Sequence, residues 1–201
     1  RLATPVFDRV ALLGVGMIGG SVAAACRVRG ATGRITGYTP QSDAREALEL
    51  GLIDAAAGSV AEAVRDADLV ILAAPISAQP ALFTDLLPHL RADALITDCA
   101  STKASTVAAA RERLGPAFAR YVPSHPIAGS ERHGPQAARA DLFNGAMVIV
   151  CPQPENSVGS VARIRDLWSA LGARVVELDA PRHDRVFAEV SHWPHAVVFA
   201  M

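Results

Sequence analysis

Residues 10–21 read VALLGVGMIGGS: a short apolar run, a glycine turn and the opening of an Ala-rich stretch. Gly14, Gly16 and Gly19 keep the G-x-G-x-x-G spacing. In that pattern the first glycine turns the chain tightly, and the second lets backbone come close to a pyrophosphate. The third lets the next helix lie against the strand, so that the helix's unpaired N–H groups face the anion. The spacing alone is common, and its context gives it weight. Residues 10–13 predict a buried strand and 18–29 a helix, in the order a dinucleotide-binding βα unit requires.

The rest of the chain continues the alternation. Residues 35–38 (ITGY) predict a second strand and 42–50 a helix, with Ser42 as N-cap and Gly51 just past its end. A short helix over 60–65 precedes LVILAA at 69–74, a continuous apolar run typical of a strand covered on both faces. Pro75 stops that run, and the next helix, 78–90, tolerates Pro80 in its first turn. A strand over 95–97 follows, with Ser101 or Thr102 as cap for a helix through Leu114. Residues 121–123 predict a short strand, 147–151 (MVIVC) a buried one, 157–171 an amphipathic helix ended by Gly172, and 174–178 a final strand. Repeated βα units imply an α/β fold, a Rossmann-type, doubly wound, mostly parallel sheet with helices on both faces. After Asp179 one helical stretch, 181–201, has no strand behind it. The expected organisation is a dinucleotide-binding domain over 1–179 and, over 180–201, the first helix of an all-α second domain, incomplete within that helix.

Composition narrows the partners. With 19 basic and 20 acidic residues the net charge is −1, which gives no reason to expect nucleic acid or an anionic membrane. No apolar run approaches the ~20 residues of a membrane span. Three scattered cysteines, Cys26, Cys99 and Cys151, suit a reducing compartment, and the expected location is cytoplasmic. The start lacks both Met and a signal-like apolar segment, which suggests trimming. Lys103 is the one lysine among the 19 basic residues.

Ligands of an open parallel sheet bind outside the carboxyl ends of its strands, so polar residues there weigh most. Ala74-Pro75-Ile76 follows the LVILAA run, DCASTK spans 98–103, and SHPIAGSE spans 124–131. Each group is expected to face the mouth where Gly14, Gly16, Met17, Ile18 and Gly19 hold the pyrophosphate. A Ser/Lys pair and a His/Ser/Glu group beside a nicotinamide suit proton handling coupled to hydride transfer.

GVGMIGGS, AAPI, TDCASTK, SHPIAGSE and HDRVFAEVSHWPHAVVFA occur in that order. The set resembles the prephenate/arogenate (cyclohexadienyl) dehydrogenase family of tyrosine biosynthesis over essentially the whole chain. The glycine motif is shared by many dehydrogenases, whereas SHPIAGSE together with SHWPHA is specific to this family. The resemblance implies NAD(P)-dependent oxidative decarboxylation of prephenate to 4-hydroxyphenylpyruvate, driven by aromatisation. It makes His125 the catalytic histidine, which hydrogen-bonds the ring hydroxyl and accepts its proton. Ser101 is implied to touch the same hydroxyl and to orient that histidine. Ser130 and Glu131 match positions lining the substrate pocket, and His195 matches a substrate-side histidine on the first helix of the second domain. The resemblance also implies a homodimer formed through the helical domain, burying the apolar face of 186–199, and an arginine beyond Met201 for a substrate carboxylate.

Other readings stay open. His125, before Pro126, could cap a turn, and Ser101 could be only an N-cap. Lys103 could contact substrate or cofactor, although an exposed first-turn lysine is the commoner case. His183 and Asp184 match the family's HD pair and read as helix-start structure. His192, His195 and Glu189 lack the H-E-x-x-H pattern and enclose Pro194, so no metal is expected. Cys99 reads as packing, and His89 and His133 carry no signal. At the end of the second strand Thr39 stands where NAD enzymes usually carry Asp or Glu for the ribose. Thr39, Gln41 and Ser42 could hydrogen-bond a 2′-phosphate, with Arg45 the nearest downstream cation, so NADP, alone or with NAD, is expected over strict NAD. Arogenate as substrate, a β-hydroxyacid dehydrogenase, and a dinucleotide-binding module without catalysis are the alternatives.

Overall fold

A computed structural model describes residues 4–41, 43–129 and 131–198, with side chains through residue 189. The apolar run of the glycine unit is the end of β1 (Phe7–Leu13), the middle strand of a five-stranded parallel sheet. β2 (Thr32–Tyr38) and β3 (Ala55–Ala56) extend the sheet on one side, β4 (Leu69–Leu72) and β5 (Leu95–Asp98) on the other. The order β3-β2-β1-β4-β5 reverses its direction of winding between β1 and β4, and the crevice of such a sheet opens at that switch point.

Alternation along each strand divides the core into two layers. Val10, Leu12, Leu69 and Ile71 face α1 (Met17–Arg29), α2 (Asp43–Glu49) and α6 (Val158–Ala170). Ala11, Leu13, Val70 and Leu72 face α3 (Val60–Val64), α4 (Gln79–Leu86) and α5 (Ala104–Leu114). Because both faces are covered, the strands read as unbroken apolar runs rather than alternating ones. Each fully buried leucine or isoleucine contributes about 1.5–3 kcal/mol.

Two strands differ from expectation. β3 is a two-residue edge strand, too short to leave an apolar run in the sequence. The strand expected over 121–123 starts later, as β6 (Ser124–Pro126). Tyr121 makes a single bridge to Ile96: Val122 N donates to the Ile96 carbonyl (2.8 Å), and the Val122 carbonyl accepts from the Thr97 hydroxyl (2.7 Å), so the ladder stops after one rung. β6 opens a second, three-stranded sheet, antiparallel to β7 (Met147–Val150), which pairs in parallel with β8 (Arg174–Glu177).

α7 (Ala180–Val198) follows, capped by Asp179, whose carboxylate accepts from Arg182 N at 2.8 Å. Ala180 and His183 are buried against the domain, while Pro181, Arg182 and Arg185 face outward. The cap of α5 corrects the sequence reading. Neither Ser101 nor Thr102 serves: the Lys103 and Ala104 N–H groups donate to Asp184 Oδ1 (2.8 Å) and Oδ2 (2.9 Å), from α7. An ionised carboxylate at a helix N-terminus is a stronger acceptor than a hydroxyl. Ser42 lies outside the described residues. Among the described residues, no helix is long and apolar enough to cross a membrane.

Candidate active site

The glycine turn is fixed by close approach. Gly14 has φ +99°, and a Cβ on it would stand 2.5 Å from Ala74 N, so the turn is pressed against the end of β4. A Cβ on Gly19 would lie 2.1 Å from the Gly14 carbonyl oxygen, which lets α1 pack on the turn behind the cavity. Gly16 is different: nothing lies within 4 Å of its Cβ position. It is the N-cap residue of α1, with no side-chain cap and no acid in the first turn, so the helix's orphan N–H groups are open to an anion.

In front of this turn is a cavity of about 910 Å³. Gly14, Gly16, Met17 and Ile18 form its floor, Thr39 and Gln41 one end, and Ala74 and Pro75 the wall beyond β4. Ser101 and Cys99 reach it from the end of β5, and His125 from β6. The open Gly16 face, the uncapped helix and a space of this size fit a dinucleotide. Thr39 donates its hydroxyl hydrogen to Gln41 Oε1 (2.9 Å) and accepts from Gln41 N (3.1 Å), closing a tight turn. Arg45 is exposed and outside the wall, whereas Asp43 is part of it. Glu131 is also exposed and outside the wall, although Arg132 and His133 line it. Ser130 and the His195 side chain lie outside the described residues.

Below His125 is a buried ionic network, and it corrects the reading of Lys103. That side chain is fully buried, not an exposed first-turn lysine. Its ammonium pairs with Asp98 Oδ2 and donates to the Ser124 carbonyl at 2.6 Å. Asp98 Oδ1 accepts from the Tyr121 hydroxyl (2.9 Å) and Ser124 N (3.1 Å), and Oδ2 accepts from Ala100 N (3.0 Å). The Ser124 hydroxyl donates to the Asp98 carbonyl (2.7 Å), and Trp168 Nε1 donates to that hydroxyl at 3.1 Å. Ser124, next to His125 on β6, is thus held by Asp98 and Lys103 on one side and by Trp168 on the other.

His125 itself is half-buried, with its Nδ1 2.8 Å from Nε2 of fully buried His183. The His183 Nδ1 lies 2.7 Å from Asp184 Oδ1. Phe187 stacks on His183 at 4.6 Å and meets the His125 ring edge-on at 5.2 Å. Desolvation, then the charge of Lys103 and the neighbouring His183, pull the His125 pKa from 6.5 down to about 4, against an opposing pull from Asp184. Burial pushes the Asp184 carboxyl upward, but hydrogen bonds from Lys103 N, Ala104 N and His183 outweigh it and hold the group below its ordinary value. Near neutral pH, His125 is therefore uncharged and Asp184 ionised.

Residues 22–177 match the family model described as "Prephenate dehydrogenase, nucleotide-binding domain". The chain belongs to the prephenate dehydrogenase family. Within it, the chain is 34% identical to a cyclohexadienyl dehydrogenase of Zymomonas mobilis over 98% of its own length and 67% of that relative's. Against a Bacillus subtilis prephenate dehydrogenase it is 35% identical over 96% of the chain and 53% of the relative. The solved prephenate dehydrogenase of Aquifex aeolicus, in complex with hydroxyphenyl propionate and NAD+, superposes with TM-score 0.87 at 34% identity. That match covers 96% of this chain and 67% of the other. Synechocystis arogenate dehydrogenase superposes with TM-score 0.86 at 27% identity, over 96% and 68%.

The structure brings together Gly14, Gly16, Met17, Ile18, Thr39, Ala74, Pro75, Ser101 and His125. Sequence reasoning missed His183 and Asp184 as neighbours of His125, because they lie 58 and more positions away and look like an ordinary helix start. The available signal was their place in an HD pair inside a family motif. For Lys103 the signal was a lone lysine in a chain that otherwise uses arginine.

Proposed function

We propose that this chain carries the dinucleotide-binding and proton-handling part of an NAD(P)-dependent dehydrogenase acting on prephenate, with arogenate as the alternative substrate. The observation that carries the reading is that His125 on β6 and Ser101 after β5 open into the same cavity as the glycine turn after β1. Gly14, Gly16, Met17 and Ile18 would hold the pyrophosphate, with Ala74 and Pro75 along the dinucleotide. When bound, the dinucleotide supplies a nicotinamide ring that takes up a hydride.

The chain's own part is orientation and proton control. The ring hydroxyl of the substrate donates to uncharged His125, and Ser101 hydrogen-bonds the same oxygen. His125 takes the proton as the C–H bond breaks and returns it to the phenolic oxygen as the ring carboxylate leaves as CO2. The reaction consumes no net proton, so one imidazole serves both transfers. Ser130, Glu131 and His195 take substrate-side roles on the resemblance alone.

Cofactor choice follows from β2. Thr39 offers no carboxylate to repel a 2′-phosphate, which favours NADP alongside NAD, while Asp43 in the same wall works against exclusive NADP use. Residues after 179 begin a second, helical domain, a boundary supported by the end of the family match at residue 177. A cytoplasmic homodimer formed through that helical domain is part of the same proposal and rests on the family resemblance.

The test is an assay with prephenate and arogenate, each with NAD+ and NADP+. Reduced nicotinamide and a hydroxyphenyl product are expected with at least one pair. Dinucleotide binding without turnover of either substrate would leave the binding-module reading standing.

A further inference from the structure

We infer that His183 and Asp184 are positioning residues that fix the tautomer of His125, an inference that rests on the proposed role of His125 as a base. The assignment starts at the ionised end. Asp184 can only accept, and its Oδ1 lies 2.7 Å from His183 Nδ1, so that nitrogen carries a proton. His183 is fully buried and stacked on Phe187, and in an uncharged imidazole one ring nitrogen donates while the other accepts. Its Nε2 is therefore a bare acceptor. His125 Nδ1, 2.8 Å away, must then be the donor. An uncharged imidazole with its proton on Nδ1 has a lone pair on Nε2, the nitrogen on the far side of the ring from His183. A carboxylate at one end thus dictates, through two rings, that His125 meets the cavity as an acceptor.

Asp184 is itself held in place by two backbone N–H groups at the start of α5, Lys103 N and Ala104 N. The charged groups facing the pair are Asp184 from α7 and the Lys103 ammonium, which is bound to Asp98. When His125 takes a proton on Nε2, both rings and the carboxylate keep their hydrogen bonds, so no side chain has to move. The arrangement resembles the way an aspartate orients the histidine of a hydrolytic triad, with an extra ring between them.

The tautomer is read directly by 15N NMR of histidine-labelled protein near neutral pH, with His125→Asn to assign the signals. We expect His125 and His183 both to be protonated on Nδ1. His183→Phe keeps the ring on Phe187 but removes the acceptor, and should release His125 into a mixture of tautomers. His183→Gln keeps an acceptor oxygen and should hold the Nδ1–H form. In turnover, His183→Phe should lower kcat by about 10²-fold, at the lower end of what a general base contributes, with the KM for dinucleotide unchanged. His183→Gln should recover most of the loss. An Nε2–H tautomer for His125 in the wild-type protein, or one indifferent to His183→Phe, would overturn the inference. So would equal loss of kcat in the two variants with unaltered melting temperatures. The NMR result stands whether or not prephenate is turned over, so an inactive wild type would count against the proposed function and leave the tautomer to be decided by its own measurement.

Discussion

The ammonium of Lys103 and the carboxylate of Asp98 form an ion pair in which neither side chain has any solvent exposure. Desolvating two charges is expensive, and it is offset here because each has further partners: the Ser124 carbonyl for Lys103, and Tyr121, Ser124 N and Ala100 N for Asp98. Removing one member leaves the other buried and charged without its counter-ion. Lys103→Met should therefore destabilise the protein by about 3–5 kcal/mol, read from urea unfolding. A loss below about 1 kcal/mol would show the pair to be dispensable.

The glycines of the turn separate folding from binding. Gly14→Ala meets both a left-handed φ and a backbone wall at 2.5 Å, and should cost about 2–4 kcal/mol. Gly16→Ala meets open space, so its stability should change by about 0.5 kcal/mol or less. Its dinucleotide affinity should fall at least about tenfold, because the methyl occupies the approach to the phosphates. Unfolding and fluorescence titration of both variants check the pair; equal affinity for Gly16→Ala and wild type would contradict the placement of the pyrophosphate.

His125 should be worth about 10²–10⁴-fold in kcat, the range of a general base, with dinucleotide binding unaffected. Steady-state kinetics and calorimetry on His125→Asn measure both quantities.

The same imidazole should leave a mark on stability. In the unfolded chain it takes a proton near its ordinary 6.5, and in the folded protein only near 4. Between those values the unfolded state binds more protons, so stability rises with pH. The contribution is complete above about 6.5 and is lost as pH falls through about 4. Chemical unfolding at a series of pH values should show that slope, and His125→Asn should flatten it.

Asp43 should act on cofactor choice. It is the carboxylate in the cavity wall near Thr39, so Asp43→Asn should raise the ratio of NADP+ to NAD+ in kcat/KM, by about threefold to tenfold for the loss of one partly solvated repulsion. An unchanged ratio would place the 2′-phosphate away from α2.

What could be read from the sequence followed from local periodicity. The glycine unit, the LVILAA strand and the Ser157-capped α6 each depend on residues within a few positions of one another, and the chemistry of each is written in its own segment. His125 and Ser101 were legible because they follow short apolar runs, at 121–123 and 95–97, that lead toward one mouth. The burial of Lys103 was not, since its partner carboxylate and the Ser124 carbonyl come together only when β5 and β6 are side by side. The antiparallel pairing of β6 with β7 was hidden because Pro126 and two polar residues make up a strand of three. The cap of α5 was hidden for a related reason: Ser101 and Thr102 fit the local rule, and a carboxylate from a distant helix displaced them.

That carboxylate has a consequence for how the molecule is made. Asp184 follows Ala104 by 80 positions, so a ribosome finishes the cleft floor long before it delivers the group that locks α5 and His183. A nascent chain released before residue 184 would own a nucleotide cradle and an imidazole with no fixed proton. The proton on His125 is thus fixed only after the floor of the cleft has been made.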